Sequence, residues 1–238
     1  HYCSRRQRQM CIRDSALTGD QYASGINPIT KKEGWWNYAV GPGKSFDTDK
    51  FFVICANVIG GCMGSYGPGT IDPLTNKPIG TNFPVITIND MVNAQYNLLD
   101  YLKIEKLFAV AGGSMGGMQV LQFVSNFPNK ARVALPIACT ASHSAQNIAF
   151  NELGRQAIMS DINWKDGLYD GKTFNPDKGL AVARMAAHIT YLSKKGLQEK
   201  FGRNLQERSD LKFSFDADFQ IESYLRSVSY THLTLPTR

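Results

Sequence analysis

Between Leu107 and Phe127 an apolar run (Leu107, Phe108, Ala109, Val110, Ala111) gives way to Gly112-Gly113-Ser114-Met115-Gly116-Gly117. A helix-spaced apolar set follows: Met118, Val120, Leu121, Phe123 and Val124. A strand that turns into a helix across a glycine-flanked serine constrains this chain's fold more than any other feature. The turn is so tight that the residues two positions either side of the serine must be small, and Gly112 and Gly116 meet that need. It would stand Ser114 at the end of a strand with a helix N-terminus behind it. The Met115 amide would then point to where the oxyanion of an acyl-transfer intermediate forms. Glycine-x-serine-x-glycine spacing alone is common; the strand before it and the helix after it give it meaning. The bland alternative is an ordinary glycine-rich turn carrying a surface serine.

The rest of the core reads in the same alternating way. Phe51 to Val58 is nearly all apolar, as a parallel strand buried on both faces would be. Ile88, Met91, Val92, Leu98, Leu99 and Leu102 fit one face of a helix opening near Thr87 or Asn89. Leu107 to Ala111 is a strand, Met115 to Phe127 a helix closed by Pro128, and Arg132 to Ala138 a further strand. The order β–α–β–α–β predicts a parallel sheet with right-handed crossovers. After Ala138 no strand of similar quality follows. Ser144 to Met159 and Lys178 to Leu192 read as helices and Phe201 to Arg226 as mixed, so 144–226 is expected to be a mainly helical cap on a core of residues 16–143. Asn27 to Lys50 and Gly60 to Phe83 read as long glycine- and proline-rich loops, a length usually tied to function.

The two ends look foreign to this pattern. Residues 1–15 and 227–238 resemble translated sequencing-adaptor read-through and are left outside the fold. They hold Arg5, Arg6, Arg8, Arg13 and Arg238 against Asp14 alone, so the net charge of +6 falls to +2 without them. That body has no clustered basic stripe, which argues against nucleic acid as a partner. No stretch approaches the roughly 20 apolar residues of a membrane span. Outside the ends the cysteines are Cys55, Cys62 and Cys139, an odd number on or near apolar runs, which reads as free thiols in a reducing, cytoplasmic setting.

Other candidates fare less well. Gly41-Pro-Gly43-Lys44-Ser45 imitates the end of a phosphate-binding loop, but Tyr38 stands where that loop needs its first glycine. Ser114 breaks any dinucleotide glycine pattern at the turn. His143 and His188 fall too early in the chain, or within a helix, to serve as base to Ser114 in the usual serine, acid, histidine order, and both are expected to be structural. No spacing suggests a metal site. Arg184 lies in a largely apolar helical stretch, where it either snorkels or grips a carboxylate with its planar fork.

Several separated segments together resemble the homoserine O-acyltransferases, a branch of the α/β-hydrolase superfamily. They are Ala16 to Asp20, Gly34-Trp35-Trp36, Gly41 to Lys44, Phe52 to Cys62, Gly67-Pro68, Gly112 to Gln119, His143 to Gln146, Phe150 to Glu152, Gly154 to Ile158, Gly179 to Tyr191 and Lys200 to Arg203. The resemblance implies an incomplete α/β-hydrolase sheet with a helical cap. It also implies a two-step transfer with no bound cofactor. Ser114 would take an acetyl group from acetyl-CoA and pass it to the hydroxyl of L-homoserine, giving O-acetyl-L-homoserine for methionine synthesis. Leu17 and Met115 match the positions whose amides form the oxyanion hole, and Arg184 matches the arginine that binds the homoserine carboxylate. A homodimer through the cap is implied as well. Succinyl donors and serine as acceptor share these motifs. An esterase and a non-catalytic binding module on the same scaffold are the competing readings. The residue before Ala16, usually histidine in the family, is Ser15 here, and the family's triad aspartate and histidine fall beyond this sequence. The polypeptide as written is therefore expected to be an inactive fragment.

Overall fold

The computed structural model describes residues 19–61, 63–169, 174–212 and 215–230, together with the backbone of 9–14. It divides into two units, residues 1–142 and 143–238. In the first unit the described strands are β1 (Gln9–Asp14), β2 (Val40–Gly41), β3 (Phe46–Asp47), β4 (Phe51–Cys55), β5 (Ile71–Asp72), β6 (Lys77–Pro78), β7 (Leu107–Gly113) and β8 (Ala131–Ile137). The helices there are α1 (Ile88–Tyr101) and α2 (Met115–Asn126). Four strands form one sheet in the order β4-β1-β7-β8, and every neighbouring pair is parallel.

β1 corrects the reading that left residues 1–15 outside the fold. It occupies an inner slot, with Cys11 opposite both Val53 of β4 and Ala109 of β7. The backbone amides and carbonyls of β4 and β7 need partners on that side, and a segment able to extend between them satisfies both rows. This demand is set by distant strands, so the local composition of residues 1–15 does not carry it. β4 also departs from expectation. Among the described strands of this sheet it pairs only with β1, and Phe52 is 40% exposed rather than buried on both faces.

α1 starts where Thr87 and Asp90 cap each other. Thr87 Oγ1 accepts from the Asp90 amide at 3.2 Å, and Asp90 Oδ2 accepts from the Thr87 amide at 2.8 Å. Val92 and Leu99 on one face of α1 meet Val120 and Phe123 of α2 over Leu107 and Val110 of β7, and these six form the core. Their burial is what holds the two helices against the strand, since the strand's own hydrogen bonds run to its neighbouring strands and not to the helices. A polar pair lies inside this contact: Gln95 Nε2 donates to Gln119 Oε1 at 2.6 Å, both side chains buried. Two aromatic contacts close the far end, with Phe127 stacked on Tyr96 at 4.2 Å and edge-on to Phe123 at 5.4 Å.

The second unit is helical: α3 (Ala145–Met159), α4 (Asp177–Tyr191), α5 (Lys194–Lys200) and α6 (Gln220–Tyr230). Ser144 caps α3 and Ser193 caps α5 through their hydroxyls. Glu222 caps α6, accepting the amides of Asp218 and Phe219 at 2.9 Å each. α6 runs to Tyr230, so residues 227–230 continue the helix instead of abandoning it after Arg226. Gly179 allows α3 and α4 to touch at backbone distance, because a Cβ there would lie 2.4 Å from the Ala157 carbonyl oxygen.

Candidate active site

Ser114 stands at the junction of β7 and α2, as its flanks predict. Its backbone has φ +56° and ψ −120°, a conformation that glycine adopts freely and other residues hold only under constraint. Two hydrogen bonds supply part of that constraint. The Ser114 amide donates to the Ile137 carbonyl at the end of β8 (2.9 Å), and the Met118 amide donates to the Ser114 carbonyl (3.1 Å). The side chain is exposed. Serine is also the N-cap residue of α2, yet its hydroxyl makes no capping bond. The hydroxyl is thus left exposed at the head of α2 without the usual capping bond. The Met115 amide opens α2 and has no acceptor inside its own helix. It is therefore suited to receive a developing oxyanion.

Gly117 was not singled out by the sequence reading. A Cβ at this position would lie 2.7 Å from Cys139 Cβ and Sγ and 3.1 Å from the Ile137 carbonyl oxygen. The first turn of α2 can lie against the end of β8 only because this residue has no side chain. The available signal was the cost of a second consecutive glycine inside a helix, about 1 kcal/mol, which calls for a packing reason. Leu17, the other expected oxyanion donor, lies outside the described residues. Three residues on, Asp20 is firmly held. Its carbonyl accepts from the Trp35 indole at 3.0 Å, and its carboxylate accepts from the Tyr22 amide at 2.8 Å and from Asn27 at 3.1 Å.

The phosphate-loop imitation is a turn. The Asp47 carboxylate accepts the Gly43 and Asp49 amides at 3.0 Å each and pairs with Lys50, and Lys44 donates to the Asn37 carbonyl. These bonds, the Gly43 amide first, hold the Asp47 carboxyl below the usual aspartate range. An anion already sits where a phosphate would need to be. Cys139 is a free thiol, Cys55 Sγ donates to the Asp20 carbonyl at 3.6 Å, and Cys62 lies outside the described residues.

Arg184 is half-buried on α4. Its Nε and Nη2 both donate to the Val228 carbonyl of α6 at 3.4 Å, and Nη2 lies 3.5 Å from His188 Nε2. His188 is engaged within the helical unit, with its Nδ1 3.2 Å from Tyr224 Oη. His143 is exposed, with Nδ1 3.5 Å from Asn151 Nδ2. A cavity of about 570 Å³ is lined by α3, α4, α5 and α6, with Phe150, Ile189, Leu197 and Phe201 among its apolar walls. Every residue lining it belongs to the helical unit. Among the described residues no cluster of His, Cys, Asp or Glu is arranged to hold a metal ion, and no helix is long and apolar enough to cross a membrane.

A parallel sheet, a strained serine at the end of an inner strand and a helix opening directly behind it are the features of an α/β-hydrolase-like scaffold. The chain belongs to the α/β-hydrolase fold family, whose model matches residues 27–222. It is 80% identical over 211 residues to a homoserine O-acetyltransferase of Pelagibacter ubique, an alignment covering 89% of this chain and 57% of that protein. It is 61% identical over 216 residues to a homoserine O-acetyltransferase of Mesorhizobium japonicum, covering 91% of this chain and 56% of the other. The crystal structure of esterase E22 matches with a TM-score of 0.79 at 29% identity, over 95% of this chain and 64% of that one. The chain thus spans little more than half the length of these curated relatives.

Proposed function

We propose that the protein to which this chain belongs transfers an acetyl group from acetyl-CoA to the hydroxyl of L-homoserine. The observation that carries the reading is Ser114, exposed and strained at the head of α2. Its hydroxyl attacks the thioester carbonyl, the Met115 amide stabilises the tetrahedral oxyanion, and the C–S bond breaks to release CoA as the thiol. The homoserine hydroxyl then attacks the acyl ester, the bond to Ser114 breaks, and the serine recovers its proton. A single oxyanion donor of this kind is worth about 3 kcal/mol of barrier. Leu17 is the second donor in this reading, and Arg184 binds the homoserine carboxylate through its planar fork. Similarity to acetyltransferases at 80% and 61% identity supports the choice of donor and acceptor.

A proton acceptor for Ser114 is also required. Residues 19–142 contain no histidine, His143 lies beside Asn151, and His188 is engaged by Tyr224. On this reading the 238 residues alone are a poor catalyst. The second reading is ester hydrolysis, favoured by the match to esterase E22.

One experiment separates the two readings. The full-length protein is given acetyl-CoA with and without homoserine, with succinyl-CoA and serine as parallel arms, and free thiol is followed. Homoserine-dependent turnover that vanishes in Ser114→Ala supports transfer. Equal CoA release without an acceptor supports hydrolysis. Activity unchanged in Ser114→Ala removes both readings and leaves a binding module.

A further inference from the structure

Arg184 has a neighbour that no part of the proposed reaction uses. One turn along α4, His188 brings Nε2 to 3.5 Å from Arg184 Nη2. The contact is long, as those in ligand-free sites often are. A guanidinium carries donors only, so the nitrogen that faces it must present a lone pair. The ring proton then belongs on Nδ1, and there Tyr224 Oη of α6 lies 3.2 Å away to accept it. The Tyr224 hydroxyl, able to donate or to accept, accepts that proton in the tautomer Arg184 sets. The imidazole is also held by its surroundings. Tyr224 meets it edge to face with centroids 5.8 Å apart, Tyr191 abuts it at 5.2 Å, and Phe201 backs Tyr224 at 4.9 Å. The Nε–Nη2 edge of the guanidinium donates to the Val228 carbonyl oxygen at 3.4 Å from both nitrogens, the side-on position a carboxylate oxygen would take in its place.

We infer that His188, held by Tyr224 at its Nδ1 edge, is a positioning residue for Arg184. Its lone pair sets the rotation of the guanidinium plane, so that the fork meets the carboxylate of an amino-acid acceptor without first having to be ordered. An arginine side chain otherwise loses considerable rotamer freedom on binding, which weakens the complex. The inference rests on the reading that Arg184 binds the acceptor carboxylate.

The test uses the full-length protein and three variants: His188→Leu, His188→Gln and Tyr224→Phe. KM for homoserine is measured alongside the single-turnover release of CoA from acetyl-CoA alone, which does not involve the acceptor. His188→Leu is expected to raise KM for homoserine by about tenfold, the effect falling on KM and not on the CoA burst. His188→Gln places an amide oxygen near the position of Nε2 and is expected to return KM to within about threefold of the original. Tyr224→Phe removes the partner that holds the ring at Nδ1 and is expected to raise KM by several-fold. Equal KM values for the Leu and Gln variants would overturn the inference, since packing alone would then explain the effect. If the Leu variant fails to fold, an unchanged KM in Tyr224→Phe overturns it instead. Absence of any CoA burst in the unaltered protein is a different failure: it removes the acyl-transfer reading itself, and this inference with it.

Discussion

Ser114 combines two roles that conflict energetically. A positive φ at a non-glycine residue costs on the order of 1–3 kcal/mol, and the hydrogen bond to Ile137 and the close seat of Gly117 against Cys139 hold the chain there regardless. Two substitutions separate strain from chemistry. Ser114→Ala keeps the unfavourable backbone and removes the hydroxyl; Ser114→Gly removes both. The glycine variant is expected to be more stable than the alanine variant by about 1 kcal/mol, read as a higher melting temperature, while neither transfers an acyl group. Equal melting temperatures would mean the turn stores no strain. At this scale the sequence was informative where chemistry forces a residue type. Gly112 and Gly116 around Ser114 are legible because only small residues suit such a turn. Gly117 was not legible, because its requirement comes from Cys139 on the next segment, a partner that spacing along one helix does not reveal.

Among the elements, the α3–α4 contact shows how one small residue sets a packing distance. An alanine at Gly179 would lie 2.4 Å from the Ala157 oxygen and 2.8 Å from Ile158 Cα, against backbone that cannot yield cheaply. Gly179→Ala is expected to cost about 2 kcal/mol in chemical denaturation. At Gly154 the nearest atom to a new Cβ is Ala183 Cβ at 3.8 Å, an ordinary contact. There the same change is expected to stabilise, by up to about 1 kcal/mol, through helix propensity alone. The start of α4 depends on Asp161, which caps it from outside. Its carboxylate accepts the Asn163 amide at 2.9 Å and the Gly179 amide at 2.8 Å. These bonds, Asn163 first, lower its pKa in the folded protein. A carboxylate with a lowered folded pKa stabilises fully above its unfolded value and loses that contribution as pH falls through the folded one. The melting temperature is therefore expected to fall as pH drops below about 4, and Asp161→Asn to start lower at neutral pH and show a shallower fall. Periodicity made α1 and α4 legible, and the Thr87–Asp90 pair lies where the α1 start is expected. The cap that Asp161 supplies to α4 was hidden by its distance along the chain.

For the whole molecule, the largest gap between sequence and structure is β1. Its neighbours β4 and β7 lie some 40 and 100 residues away in sequence, and only their pairing explains why Gln9–Asp14 is extended. The same topology sets the surface. Among the described strands of this sheet β8 pairs only with β7, and Val133, Leu135 and Ile137 are 38%, 40% and 44% exposed. A free parallel edge carrying apolar side chains is a template for association. The 238-residue polypeptide is expected to scatter light increasingly with concentration, and Leu135→Lys to suppress this; scattering unaffected by the lysine would place the sticky surface elsewhere. The hydrogen bond from Ser114 to Ile137 carries a further consequence. The Ser114 amide is latched by the last residue of that strand, so its deuterium uptake clocks each detachment of the strand's tip. One slowly exchanging proton would report, in a resting sample without substrate, how long the reactive geometry survives between openings.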